Sequence, residues 1–435
     1  MRIAIIGGGL AGLTAAWLLE STHDVTLLEA RERLGGHVAS VSVRHRSAFR
    51  SVDLGAQDFS TEIFPLHARL LDLLDLNERL IDVAMTQTIS TTGTPRPILV
   101  TPHAGRAAIL GAAWEAVGAL VQRAMAWEAD DVSWETPYAD LVEPLPIEPR
   151  LKRTVLYAQP AALYGCSMQQ VQEVSARAAT AIFTRSPAPP AGQAPTWQNL
   201  DGGLHTLIQS LAADLQHARL RVAARVVTIA KRSDAYALTI DGGETYHADH
   251  VVMAVPPPAG LPLTRQLAGT AELNRALAHY RYLPCTTGVH QDPCYMPATR
   301  SHWSTSNLIV NGDFATSSAW YRPINGADLF KSQLTHRTYL PERLLAIAHF
   351  TQMLPDASAV RGHRALAKHQ GRDGLWFAGH YVSDLDCQET AVRSAADIAR
   401  VLAPSTRRLH ALLTDTPPEP DRTAVAQTPV TEGSP

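Results

Sequence analysis

Three glycines and one glutamate near the start of the chain have the types and the spacing to hold a dinucleotide. Gly7, Gly9 and Gly12 form a GxGxxG between the apolar run Arg2–Ile6 and a segment with Leu10, Leu13, Trp17 and Leu18 at helical spacing. In that pattern the first glycine permits the tight turn after a buried strand. The second lets the backbone approach a pyrophosphate, and the third lets helix and strand pack closely. Leu10 and Ala11 open the helix, whose N-terminus offers N–H groups and a positive dipole end to the phosphates. A second apolar run, Asp24–Ala30, carries Glu29 some twenty residues after Gly7. A carboxylate there accepts hydrogen bonds from ribose hydroxyls and repels a 2′-phosphate.

The residues after Glu29 narrow the dinucleotide. "EARERLGGH" (Glu29–His37) resembles the E-A-R-x-R-x-G-G-R signature of the amine oxidase and phytoene desaturase flavoprotein superfamily. The resemblance implies FAD, with Glu29, Ala30 and Arg31 at its ribose and Gly35–Gly36 passing the pyrophosphate. His37 stands where that family has arginine. "VDLGAQDF" (Val52–Phe59) resembles the strand and turn beside the flavin ring, which places Gly55 and Ala56 there. "LDGGLHTLIQSLAADL" (Leu200–Leu215) is similar to the family's Gly-Gly helix entry. In the strand after it, Val226 would offer backbone groups to the adenine. "ADHVVMAVPP" (Ala248–Pro257) resembles the last strand of that lobe.

The closing block runs from Gly374 to Leu402. By resemblance Gly379 is a close approach to the cofactor, and Glu389, Thr390 and Ala391 start a helix aimed at the flavin. Such a helix end stabilises the negative charge of a reduced flavin through backbone N–H groups. His380 replaces the family's glutamate, and Glu389-Thr390-Ala391 replaces Glu-Gly-Ala. The resemblance covers roughly residues 1–403. It is closest to predicted NAD/FAD-binding, amine-oxidase-like proteins associated with cyclopropane fatty acid synthases. "AQPAALYG" (Ala158–Gly165), "PTWQNLDGG" (Pro195–Gly203) and "HQDPCYMP" (His290–Pro297) carry that part of it.

The implied activity is an FAD-dependent oxidoreductase that passes hydride from a substrate C–H to flavin N5. No second GxGxxG with a paired acid is present, so electrons are expected from the substrate and not from NADPH. The family's amine oxidases carry a lysine near N5. The corresponding stretch, Leu283–Asp292, has none, and Lys331 lies well past it. This favours oxidation or desaturation of a largely apolar small molecule or acyl chain. An amine or amino-acid oxidase, a redox-neutral flavin isomerase and a non-catalytic flavin-binding partner of a lipid-modifying enzyme are the alternatives.

The catalytic candidates are His290, Trp303, Tyr381 and Asp386, with Trp320 and Asp384 beside them. His290 is as readily a strand histidine bonded to a loop as a polar group over the ring. Cys387 is not where the family's covalent flavin attachment occurs, so the FAD is expected to be noncovalent. The four cysteines make no CxxC pair and the histidines are scattered, so no metal is expected.

These residues require a particular scaffold. The predicted fold class is α/β, with a Rossmann-type FAD-binding domain in three pieces, 1–60, 196–258 and 345–403. An α+β substrate domain is inserted as 61–195 and 259–344, and 404–435 is expected to be a mostly disordered tail. Ala104–Trp127 and Leu151–Phe183 have helical spacing, and Thr286–Tyr321 suits antiparallel strands. The proline-rich Arg185–Pro195 links the two domains. Net charge is −3, which gives no case for nucleic acid. No apolar run is long enough to span a membrane. With the first strand at Arg2 there is no room for a signal peptide, so a cytoplasmic protein is expected.

Overall fold

The computed structural model describes residues 1–102, 108–186 and 195–414. Its cofactor-side sheet has five parallel strands in the order Leu375–Phe377, His250–Met253, Arg2–Ile6, Asp24–Leu28 and Arg219–Arg221. Ile3 pairs with Val25 on one side and His250 on the other. Both faces are covered, which is why these strands are continuous apolar runs. Three distant pieces of sequence thus build one sheet, and the expected α/β class holds.

All ten residues of the helix Leu10–Leu19 are buried between this sheet and the helix Gln388–Leu402. Gly12 makes that packing possible: a Cβ there would lie 2.0 Å from the Gly7 carbonyl oxygen. The opposite sheet face packs against three antiparallel strands, Val226–Arg232, Ala235–Ile240 and Thr245–Ala248.

The substrate side is built on a seven-stranded sheet. Its order is Leu344–Leu354, Arg281–His290, Phe330–Gln333, Phe314–Trp320, Ser306–Asn311, Gln87–Thr91 and Leu99–Val100. All neighbours are antiparallel except Ser306–Asn311 with Gln87–Thr91. Helices Gly111–Ala129, Ala158–Tyr164 and Ala176–Thr184 share one apolar core with this sheet.

Four expectations need correction. The strand Leu344–Leu354 belongs to the substrate sheet, because it pairs with Arg281–His290 along their length; the third cofactor-side piece therefore starts after it and not at 345. Helices Pro257–Thr264 and Ala271–Leu277 pack in the cofactor-side core, so the second insert starts near Tyr280 and not at 259. Leu151–Phe183 is not one helix. A π-helical turn spans Lys152–Leu156, Gly165 ends the next helix at φ +63°, and Ser175 caps the last. Within 404–435, expected to be mostly disordered, Arg407–Leu413 is a helix that buries Leu409 and Leu412, and its Arg408 bonds Glu20 and Asp214. The first helical prediction is met by Gly111–Ala129. Residues 103–107, most of the Arg185–Pro195 link and the rest of the tail lie outside the described residues.

Candidate active site

The glycine turn forms a cradle with one open side. Gly7 has φ +111°, and its neighbour Gly8 accepts the Gly35 N–H at 2.7 Å. Gly9 bridges Gly35, and a Cβ on Gly9 would meet nothing nearer than 3.9 Å. The helix starting at Leu10 has no side-chain cap, so Leu10 and Ala11 begin an N-terminus left for a ligand. Glu29, only 8% exposed, is held by backbone alone: Oε2 accepts the Gly8 N–H at 2.7 Å and Oε1 the Arg31 N–H at 2.8 Å. Next to it the Ala224 N–H bonds the Glu29 carbonyl, which brings the start of the Val226 strand alongside Ala30.

A second turn locks onto the first. The Ala56 N–H bonds the His37 carbonyl at 2.9 Å, and a Cβ on Gly55 would lie 2.0 Å from that carbonyl oxygen. His37 stacks on His380 with centroids 6.1 Å apart and meets the edge of Phe350 at 5.4 Å. His380 follows Gly379, whose φ is +135°. Its Nδ1 lies 3.5 Å from Asp386, and its Nε2 lies 3.2 Å from the Tyr282 hydroxyl. Asp386 also accepts a 2.7 Å bond from Gln352. Burial, and then the neighbouring His380, push the His37 ring below its ordinary pKa. The two departures from the family pattern, His37 for arginine and His380 for glutamate, are therefore neighbours in space. A pair of opposite fixed charges has been exchanged for two facing imidazoles.

The strand that pairs with Leu283–Asp292 does carry a lysine. Lys331 is in register with Val289, and its ammonium donates to the Gly55 carbonyl. On the same sheet face the Thr287 hydroxyl donates to Leu54 at 2.7 Å. Burial lowers the Lys331 pKa, while Asp53 and Asp58 oppose that shift. Asn199 donates to both carboxylates, at 3.3 Å and 3.1 Å. Asp53 further accepts from Ser40 at 2.6 Å and from the Leu204 N–H at 2.9 Å. Burial pushes Asp58 up to about 6 and raises Asp53 as well. Sequence position sets Lys331 aside, and only strand pairing brings it to Gly55.

Three catalytic candidates are placed elsewhere. His290 is fully buried on the opposite sheet face, with Nδ1 at 2.8 Å from the Asp292 carbonyl and Nε2 at 2.8 Å from Ser332. Burial pushes it down to about 4, and it is a satisfied core histidine. Trp303 donates its indole N–H to Pro297 at 2.8 Å and packs against Arg300, Trp320 and Phe330. Tyr381 is buried under the cofactor-side sheet and donates to the Met253 carbonyl at 2.8 Å. Asp384 faces His363 at 3.1 Å. Asp386 alone of the candidates stands at the junction of the two sheets.

The closing helix starts at Gln388 with Cys387 as its cap, and Thr390 completes the capping box. Glu389 turns its carboxylate away, to the His67 N–H at 2.9 Å and to Arg393 at 2.8 Å. The Thr390 N–H is taken by the Cys387 side chain and the Ala391 N–H by the Cys387 carbonyl, so the expectation that these two residues offer the helix end to the flavin is not met.

A cradle with one open glycine face, an uncapped helix and a backbone-held carboxylate fits the adenosine pyrophosphate half of FAD. The family model "Flavin containing amine oxidoreductase" matches residues 10–293, more than half of the chain. The chain belongs to the flavin-containing amine oxidoreductases. Among relatives, coproporphyrinogen III oxidase of Mycobacterium leprae is 29% identical over 294 residues, 61% of this chain and 61% of that relative's own length. The fold is shared with cyclohexylamine oxidase from Brevibacterium oxydans, at TM-score 0.64 and 15% identity, covering 92% of this chain and 98% of that one. It is also shared with the CLA-producing fatty acid isomerase from P. acnes, at TM-score 0.63 and 14% identity, covering 92% and 97%. Among the described residues, no helix is long and apolar enough to cross a membrane.

Proposed function

We propose that this oxidoreductase takes hydrogen from a C–H of a largely apolar small molecule or acyl chain. The observation that carries the reading is the sheet face that meets Gly55. Val289, Ala319, Ala346, Ala348, Cys285 and Phe350 form one apolar cluster there. Lys331 stands among them as a single cation, with Asp53 and Asp58 turned to it. Asp386 is engaged by Gln352 and His380. A substrate ammonium would find these carboxylates already committed, whereas an apolar chain finds a wall.

Bound noncovalently, FAD would supply a two-electron acceptor. The chain's own residues bind and orient. Glu29 holds ribose hydroxyls, and the glycine cradle holds phosphates. Phe350 and His37 close the junction against water, which strengthens every charge inside it. Lys331 keeps a proton on Nζ beside Gly55. Asp386 and Tyr282 fix the His380 ring from its two nitrogens. A second reading, oxidation of an amine or amino acid, is favoured by Lys331 itself, since the family's amine oxidases place a lysine near N5.

Anaerobic bleaching of the bound flavin separates the two. Fatty acyl compounds, polyenes and, following the mycobacterial relative's name, a reduced tetrapyrrole are expected to bleach it. Bleaching by amines alone would overturn the proposal. Glu29→Arg protein is expected to purify without yellow colour; full flavin occupancy in it would refute the cofactor placement.

A further inference from the structure

A cavity of about 240 Å³ opens on the back of the substrate sheet, on the face opposite Lys331. Consecutive strand residues point to opposite faces. Lys331 reaches Gly55, while Ser332 bonds His290 and, at 2.7 Å, Ser318. Arg337 lines the cavity on this Ser318 side. Its guanidinium is held flat over Tyr295 at 4.0 Å. Nε donates to the Gln333 carbonyl at 3.3 Å and Nη2 to Ser318 at 3.2 Å. Among the described residues no carboxylate lies within ion-pairing distance of it, although 23 such pairs occur elsewhere, most of them made by arginines. Burial lowers its pKa to about 10. A desolvated cation without a counter-charge is expensive, and proteins ordinarily pair it.

We propose that this cavity is a second ligand site, in which Arg337 takes the carboxylate of a small organic acid. The remaining N–H groups of the fixed, planar fork match two carboxylate oxygens. The rest of the wall selects the ligand's body. Met296, Ile309, Phe314 and Tyr339 are apolar, and Thr316 adds a hydroxyl. The other titratable ring at the wall, His336, lies flat on Phe314 at 3.8 Å and bonds the Gly165 carbonyl at 3.3 Å. With one cation and a wall that mixes apolar side chains with the hydroxyls of Thr91, Thr92, Thr94, Thr316 and Thr338, the site suits a small organic monoanion. The volume is below the roughly 300–1,000 Å³ of common ligand clefts, which limits the acid to a few carbons. Exposed residues at Thr92–Pro95 and Thr338–Tyr339 form the mouth, so the site opens to solvent and not to the flavin junction.

Calorimetric titration of the purified holoprotein with hexanoate, hexanol, hexylamine and inorganic phosphate tests this. Hexanoate is expected to bind at least about tenfold more tightly than the other three, the factor of one charged hydrogen-bonded pair. Arg337→Met is expected to lose that advantage. Thr338→Glu, which sets a carboxylate at the exposed mouth beside Arg337, is expected to lose it too without a change in melting temperature. The proposal is overturned by any of three results: no hexanoate binding, phosphate binding more tightly than hexanoate, or hexanoate binding unchanged in both variants.

Discussion

Lys331 and Arg337 are six residues apart, and both cations are largely withdrawn from water. They lie on opposite faces of one sheet and are compensated in opposite ways. Lys331 points at Gly55 with Asp53 and Asp58 in its field, and those carboxylates are themselves fixed by Asn199, Ser40 and Leu204. Arg337 has an aromatic ring, a hydroxyl and a carbonyl, and beyond them a cavity. The front face thus balances its cation inside the chain. The back face leaves the balance to something that arrives. Buried charge alone therefore does not mark a site; the presence or absence of an internal partner says which kind of site it is.

Removing each cation tests the contrast. Lys331→Met leaves two carboxylates without their cation, and a loss on the order of 3 kcal/mol is expected. Thermal unfolding should show a melting temperature several degrees lower. A melting temperature equal to wild type would mean that the front face is not charge-balanced by Lys331.

The pH dependence should have opposite signs on the two faces. Asp58 titrates near 6 when folded and near 4 when unfolded, so the folded state keeps a proton the unfolded state has lost. Its contribution is complete below about pH 4 and disappears as pH rises through about 6. His290 titrates near 4 when folded and near 6.5 when unfolded. Its contribution is complete above about pH 6.5 and disappears as pH falls through about 4. Urea unfolding across this window should therefore show that Asp58→Asn removes a downward slope and His290→Gln an upward one. Slopes of the same sign would break the contrast.

The smallest effect is expected from Arg337→Met. It gives up a cation–π contact of about 1 kcal/mol but also removes an uncompensated charge, so stability without ligand should stay within about 1 kcal/mol of wild type. A large loss in the same unfolding experiment would show that Arg337 is a structural cation like Lys331.

What could be read in the sequence follows from how local each feature is. The glycine turn, Glu29 and Gly35–Gly36 are fixed by backbone geometry within a single βα unit, so residue types alone expose them. The Asp386 loop lies beside such a block and was legible with it. Lys331 was not, because it reaches Gly55 only through pairing with a strand some forty residues earlier, and no spacing rule encodes that register. His290 misled for the same reason: one step along a strand exchanges the flavin face for the back face. The Leu151–Phe183 segment misled because its apolar spacing continues through a π-helical turn and a left-handed glycine without a break in pattern.

The strand Arg2–Ile6 precedes every other strand of its sheet yet sits in the middle of it, and its second neighbour begins at His250. At about 5–20 residues per second, translation leaves one edge of it unpaired for roughly 10–50 seconds. The edge strand Leu375–Phe377 and the closing helix arrive later still. The parallel sheet under the nucleotide cradle is therefore complete only once the strand Leu375–Phe377 has joined it.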